Sequence, residues 1–214
     1  SATTNKDRTF SISFALDSAT YLDFEHGVER TAMYVRPGDK INLTIDTKLF
    51  DESIKYEGSE ESSFLAKLYL MEEENDFFGE VFYLSNKEEY KGILEDYKTA
   101  VIIEFGKITD STFIKNEITE LDKSIANFIS QQNKLSEYTN DVKNYMWETR
   151  KLGRNFNFYA AMDSLNSEQF SNMLEGYSAE FLALLSKVTD ADFTQKAKEK
   201  IKNTTSNWGD RKTE

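Results

Sequence analysis

From Thr9 to Gly58 the hydrophobic positions recur with a period of two. Phe10, Ile12, Phe14 and Leu16 alternate with Ser11, Ser13 and Ala15, the spacing of a half-buried strand. Tyr21-Leu22-Asp23-Phe24 follows, then turn residues at Glu25-His26-Gly27. Thr31 to Arg36 predicts the next strand, halted at Arg36-Pro37-Gly38-Asp39, which holds the only proline of the chain. There a fixed φ next to a permissive glycine favours a tight reversal between two paired strands. Ile41, Leu43 and Ile45 resume the alternation, and Ile54 to Gly58 completes an antiparallel meander of four or five strands.

Beyond Gly58 the period lengthens to that of a helix. Ser59-Glu60-Glu61-Ser62 supplies a cap and first-turn acids ahead of Phe64, Leu65, Leu68 and Leu70. A second helix is expected from about Asn86 to Tyr97, while Val101 to Phe105 fits strand and buried helix equally. The strongest signal runs Ile114, Ile118, Leu121, Ile125, Phe128, Gln132, Leu135, Thr139, Val142, Met146, Thr149. With no Gly or Pro between Phe113 and Leu152, it predicts one helix of about ten turns packed in an antiparallel bundle. Phe156 to Tyr159 reads as a link, Asn166 caps a helix through Leu185, and Asp190 opens a last one to about Lys202. The expected architecture is α+β: a small antiparallel β-meander at 1–58, a helical bundle with one long helix at 59–203, and a polar tail or linker at 204–214.

Composition narrows the chemistry. The 214 residues carry 26 Lys and Arg against 38 Asp and Glu, a net charge of −12. That balance argues against nucleic acid or an anionic membrane as partner. No cysteine is present, which removes disulfides, thiolate metal sites and cysteine nucleophiles from this chain. A single histidine, His26, leaves no His-pair zinc site and disfavours a Ser-His-Asp triad. No apolar run reaches the roughly 18 residues of a membrane-spanning helix. The small, polar start, Ser-Ala-Thr-Thr-Asn-Lys-Asp, reads as that of a mature or trimmed chain.

Few constellations suggest a site. The run Glu72-Glu73-Glu74-Asn75-Asp76 lacks the spacing and turn glycine of a calcium loop and reads as a solvated face. Asp17, Asp23, Glu25 and His26 are the candidates for a weak metal or acid–base site, although turns are ordinarily polar. Arg30 and Arg36 are expected to pair with neighbouring acids. Asn42-Leu43-Thr44 and Asn203-Thr204-Thr205 match the glycosylation pattern. Tyr145, Trp147, Phe156, Phe158 and Tyr159 cluster around the end of the long helix; they either cap the bundle core or form a docking surface.

The stretch from Met33 to Asp46, with Arg36-Pro37-Gly38-Asp39 followed by an alternating strand, resembles an N-terminal region of TlpA-like thiol-disulfide oxidoreductases of the Gram-negative cell envelope, often lipoproteins. The resemblance continues through Phe50 to Ser59, where a strand ends in Gly-Ser and a helix begins. In that family a thioredoxin-fold domain with a Cys-x-x-Cys pair follows the helical region. This chain has no cysteine, so no catalytic residue and no cofactor carries over. The resemblance implies a non-enzymatic, periplasmic or envelope accessory region, with a lipid anchor as an option. Its partners would be a thioredoxin-like domain, in the same or another chain, and a second copy in a homodimer. The alternative expectation is a free-standing envelope protein that binds a small ligand or peptide, favoured by a concave apolar pocket. A carboxylate-only hydrolase would need two acids about 5 to 9 Å apart in a cleft, and no motif places them so.

Overall fold

The computed structural model describes residues 2–213 and is 64% helical, with its strands confined to the N-terminal part. The α+β class therefore holds. The chain divides into two compact units, each built from two separate stretches: residues 1–76 with 95–123, and residues 77–94 with 124–214.

In the first unit, β1 (Thr20–His26) and β2 (Glu29–Val35) form a hairpin paired from Thr20↔Val35 to His26↔Glu29. Gly27 turns it at a φ of +66°. The next reversal falls where the sequence predicts it. The Asp39 N–H donates to the Arg36 carbonyl at 3.1 Å, the Asp39 carboxylate accepts from the Arg36 N–H at 2.8 Å, and Gly38 takes a φ of +87°. The strands it joins do not pair with each other, however. The short β3 (Asn42–Thr44) instead pairs with β4 (Lys55–Glu57), across the single-turn α1 (Phe50–Ser53). The expected meander is thus two separate two-stranded sheets among the described residues. The predicted first strand, Phe10 to Leu16, has no ladder.

Both sheets are fastened to the start of α2 (Glu60–Asn75) by serines. Ser59 caps the helix by accepting from the Ser62 N–H at 3.1 Å. The Ser62 hydroxyl accepts from the Tyr34 N–H at 3.1 Å, and the Ser59 and Ser62 hydroxyls reach the Tyr34 carbonyl at 3.2 and 3.1 Å. Ser63 donates to the Tyr56 carbonyl of β4 at 3.1 Å. Buried backbone groups at a strand edge must find partners, and here one helical turn supplies them to both sheets. Against this joint packs a ring cluster: Tyr34 lies 4.8 Å from Phe113, and Phe64 lies 4.6 Å from Phe105, centroid to centroid.

The second unit is helical. It contains α3 (Glu80–Leu84), the first half of α4 (Lys87–Glu104), the second half of α5 (Ser111–Leu135), α6 (Asn140–Arg154), α7 (Phe158–Ser164), α8 (Ser167–Leu185) and α9 (Ala191–Thr213). Its core includes Phe82, Tyr90, Leu94, Leu135, Val142, Phe170, Leu174 and Leu185. Asn166 opens α8 in a reciprocal capping box with Gln169, worth about 1 kcal/mol for the cap alone.

Several element boundaries differ from expectation. The long helix is broken between Leu135 and Asn140. There the Thr139 hydroxyl donates to the Asp141 carboxylate, which also accepts from the Val142 N–H at 2.8 Å, so local side-chain bonding replaces a continuous helical ladder. Such competition needs neither Gly nor Pro. The ambiguous Val101 to Glu104 is the end of α4, and Phe105 opens a 3-10 turn. Phe158 begins a helix rather than lying in a link. Helix α9 continues past Lys202 to Thr213.

Candidate functional site

The five aromatic residues singled out from the sequence fall into three groups, all within the second unit. Tyr145 on α6 meets Phe193 of α9 edge-on at 5.7 Å. Trp147, two residues further on and therefore on the opposite face of α6, stacks on Tyr83 of α3 at 5.9 Å, with the Lys151 ammonium 5.4 Å from its ring centre. Phe156, Phe158 and Tyr159 come together at the start of α7 around two further rings. Phe156 lies 4.8 Å from Tyr177 of α8, Phe158 stacks on Trp208 of α9 at 4.7 Å, and Tyr159 meets Trp208 edge-on at 5.3 Å.

This last cluster has a buried side and an open side. Phe156, Phe158, Tyr177 and Trp208 are half-buried, whereas Tyr159 is 68% exposed. The Arg211 guanidinium sits 5.1 Å from the Trp208 ring centre, the geometry of a cation held by the negative face of an indole. Lys212 donates to the Met162 carbonyl near the end of α7. Aromatic rings beside arginine, one end buried and one end open, suit protein docking. Tyr177 was legible only as a member of the α8 apolar stripe. Trp208 was masked by the polar residues around it, although a lone Trp in such a stretch is itself a signal.

The remaining candidates are dispersed. Asp23, Glu25 and His26 lie on β1, where Glu25 faces Arg30 and His26 faces Glu29 in the register. Among the described residues no three His, Cys, Asp or Glu side chains gather as a metal would require. The acidic run ends α2: Glu72 accepts from the Tyr97 hydroxyl and Glu73 from the Tyr69 hydroxyl, both at 3.2 Å. Asn42 lies on β3, and Asn203 lies inside α9.

Arg36 does pair with acids, more of them than the sequence suggested. Its guanidinium holds Glu61 at 3.0 Å, Asp39 at 3.6 Å and Asp110 at 3.7 Å. Glu61 is only 2% exposed, so this pairing neutralises a charge that would be costly alone. The neighbouring Tyr34 hydroxyl is held above the usual phenol range, first by burial and then by Asp110. Nearby, Tyr21 donates to Glu117 at 2.5 Å, and burial raises the Glu117 carboxyl above 4.5 despite that hydrogen bond. These groups form a structural charge network around Tyr34.

The first unit also holds a groove of about 1010 Å³. It runs between segment 8–16, the β1–β2 hairpin and the stretch through β3. Phe14, Leu22, Met33 and Leu43 line it together with polar residues that include Arg36 and Asp39. The size suits a ligand or a short extended peptide.

No family model matches the chain, and comparison with curated proteins and with solved structures gives no significant match. No described helix is long and apolar enough to cross a membrane.

Proposed function

We propose that this chain is a non-catalytic docking region, the accessory part of a TlpA-like thiol-disulfide oxidoreductase of the cell envelope that presents or dimerises a thioredoxin-like domain. The observation that carries the reading is the Tyr159–Trp208–Arg211 surface, an aromatic face built by α7 and α9 and open at Tyr159. Its occupant would be the redox domain, bound through a few large rings as interfaces commonly are. The lack of cysteine assigns the thiol chemistry to that partner.

Immunoblotting of envelope and soluble fractions from the cells that make the protein tests this. A band heavier than 24.8 kDa by a domain of roughly 100 to 150 residues, or a thioredoxin-like protein crosslinked to Tyr159-labelled chain, supports it. A free 24.8 kDa band with no such crosslink overturns it. The groove of mixed polar and apolar lining favours a second reading, a free-standing envelope binding protein for a small ligand or peptide. Saturable binding of an apolar fluorescent dye, lost in Met33→Glu while circular dichroism is unchanged, supports that reading.

A further inference from the structure

We infer that the segment from Phe10 to Leu16 is a self-complementary strand that pairs, antiparallel, with the same segment of a second copy of this chain. The inference is independent of the aromatic docking surface, which lies on other residues.

The segment has the side chains of a strand and none of the pairing. Among the described residues its backbone makes no hydrogen bonds, and Phe10, Ile12 and Phe14 are 38, 49 and 58% exposed. Ser11, Ser13 and Ala15 are exposed as well. Unpaired backbone beside alternating apolar residues is a template for strand addition.

Pattern and charge select the occupant. The sequence is symmetric about Ser13: apolar residues stand at 10, 12, 14 and 16, with small residues at 11, 13 and 15. An antiparallel pair centred on Ser13 places Phe10 opposite Leu16 and Ile12 opposite Phe14 of the second copy, twice over. That is the isologous contact of a two-fold dimer. From Thr9 to Leu16 no residue is charged, in a chain of net charge −12, so the copies meet where their repulsion is least. Arg8 stands before the neutral stretch and Asp17 after it. In an antiparallel pair centred on Ser13, Arg8 stands opposite Ser18 and Asp17 opposite Thr9, so no like charges meet, whereas an in-register parallel pair would set Arg8 against Arg8 and Asp17 against Asp17.

On β2 the serines of α2 already occupy the Tyr34 N–H and carbonyl. A single strand pair lies below the roughly 1,200 Å² of stable interfaces, so the dimer belongs to the transient class and grows with concentration.

The absence of cysteine makes the test clean. In the full chain, Ser13→Cys should form an intermolecular disulfide under mild oxidation, because the two Cα atoms face each other across the two-fold axis. Ala15→Cys should not, since its copies stand four residues apart along the strands, about 13 Å, beyond disulfide reach. Sedimentation should show concentration-dependent dimer that weakens at least tenfold in Ile12→Glu, with circular dichroism unchanged. A chain that stays monomeric at high concentration overturns the proposal and leaves the strand to a foreign partner. Equal crosslinking of both cysteine variants, or a dimer unaffected by Ile12→Glu, overturns it too.

Discussion

Gly58 lies so close to the Lys40 carbonyl that a Cβ atom at position 58 would stand 2.4 Å from its oxygen. The same glycine has a φ of +92°, so both its backbone conformation and its surroundings exclude a side chain. This contact fixes where the chain leaves β4 and lets Ser59 reach Tyr34. Gly58→Ala should therefore destabilise the protein by more than about 2 kcal/mol. Gly27→Ala is the control: its φ is also positive, but nothing lies within 4 Å of the added methyl. It should cost about 1 kcal/mol. Urea titrations of both variants check the difference, and equal losses would show that the Lys40 contact is unimportant.

Two buried tyrosines should respond to loss of the hydroxyl with opposite signs. The Tyr90 hydroxyl donates to the Phe77 carbonyl at 2.8 Å, and Tyr90→Phe should cost about 0.5 to 1.5 kcal/mol. The Tyr56 hydroxyl is buried with no partner in good hydrogen-bond geometry, and burial pushes its pKa up to about 12, with Thr31 acting the other way. Tyr56→Phe should be neutral or stabilising by up to about 1 kcal/mol. Thermal melts of the two proteins decide this.

Glu117 gives the stability a pH dependence. Burial raises its carboxyl pKa above 4.5 in the folded state, so the native protein holds more protons than the unfolded chain in the window above 4.5. Its contribution then weakens as pH rises through that window. Glu117→Gln keeps an acceptor for Tyr21 and removes the ionisation. The variant should melt higher than the parent at pH 7, with the gap closing toward pH 4.5. A lower melting temperature at pH 7 would mean that the charged hydrogen bond to Tyr21 outweighs burial.

Asp141 should act in the opposite direction. Thr139, then Thr189 through its hydroxyl and its N–H at 2.7 and 2.8 Å, hold the carboxyl below its ordinary 3.8. A depressed carboxyl contributes stability that is fully present above 3.8 and is lost only as pH falls through the lower folded value. Asp141→Ala should lower the melting temperature across the neutral range. The deficit should shrink only in strong acid, which melts followed down to pH 2 will show.

Turns and caps were legible in the sequence because their causes are local. Arg36-Pro37-Gly38-Asp39 contains its own reversal, and Ser59 and Asn166 contain their own caps. Pairing is not local. Phe10 to Leu16 and Tyr21 to Phe24 show similar alternation, yet only the second finds a neighbour, supplied by Thr31 to Tyr34. The break between α5 and α6 was hidden because Gln132, Leu135, Thr139 and Val142 keep the four–three spacing across it. The signal was there in Thr139-Asn140-Asp141, a helix-start sequence that the unbroken four–three spacing overrode. The aromatic site was half legible: Phe156, Phe158 and Tyr159 are adjacent in sequence, while Tyr177 and Trp208 join them only through the packing of α8 and α9.

The interleaving of the two units constrains how the chain is made. As it emerges from the ribosome, the first unit lacks residues 95–123 until residues 77–94 have already appeared. Those eighteen residues include Phe82, Tyr90 and Leu94, which belong to the other core. They must wait, apolar and unpacked, for residue 124 onward. A simple cut after Asp76 frees neither unit whole, and each would have to be recovered by rejoining its pieces.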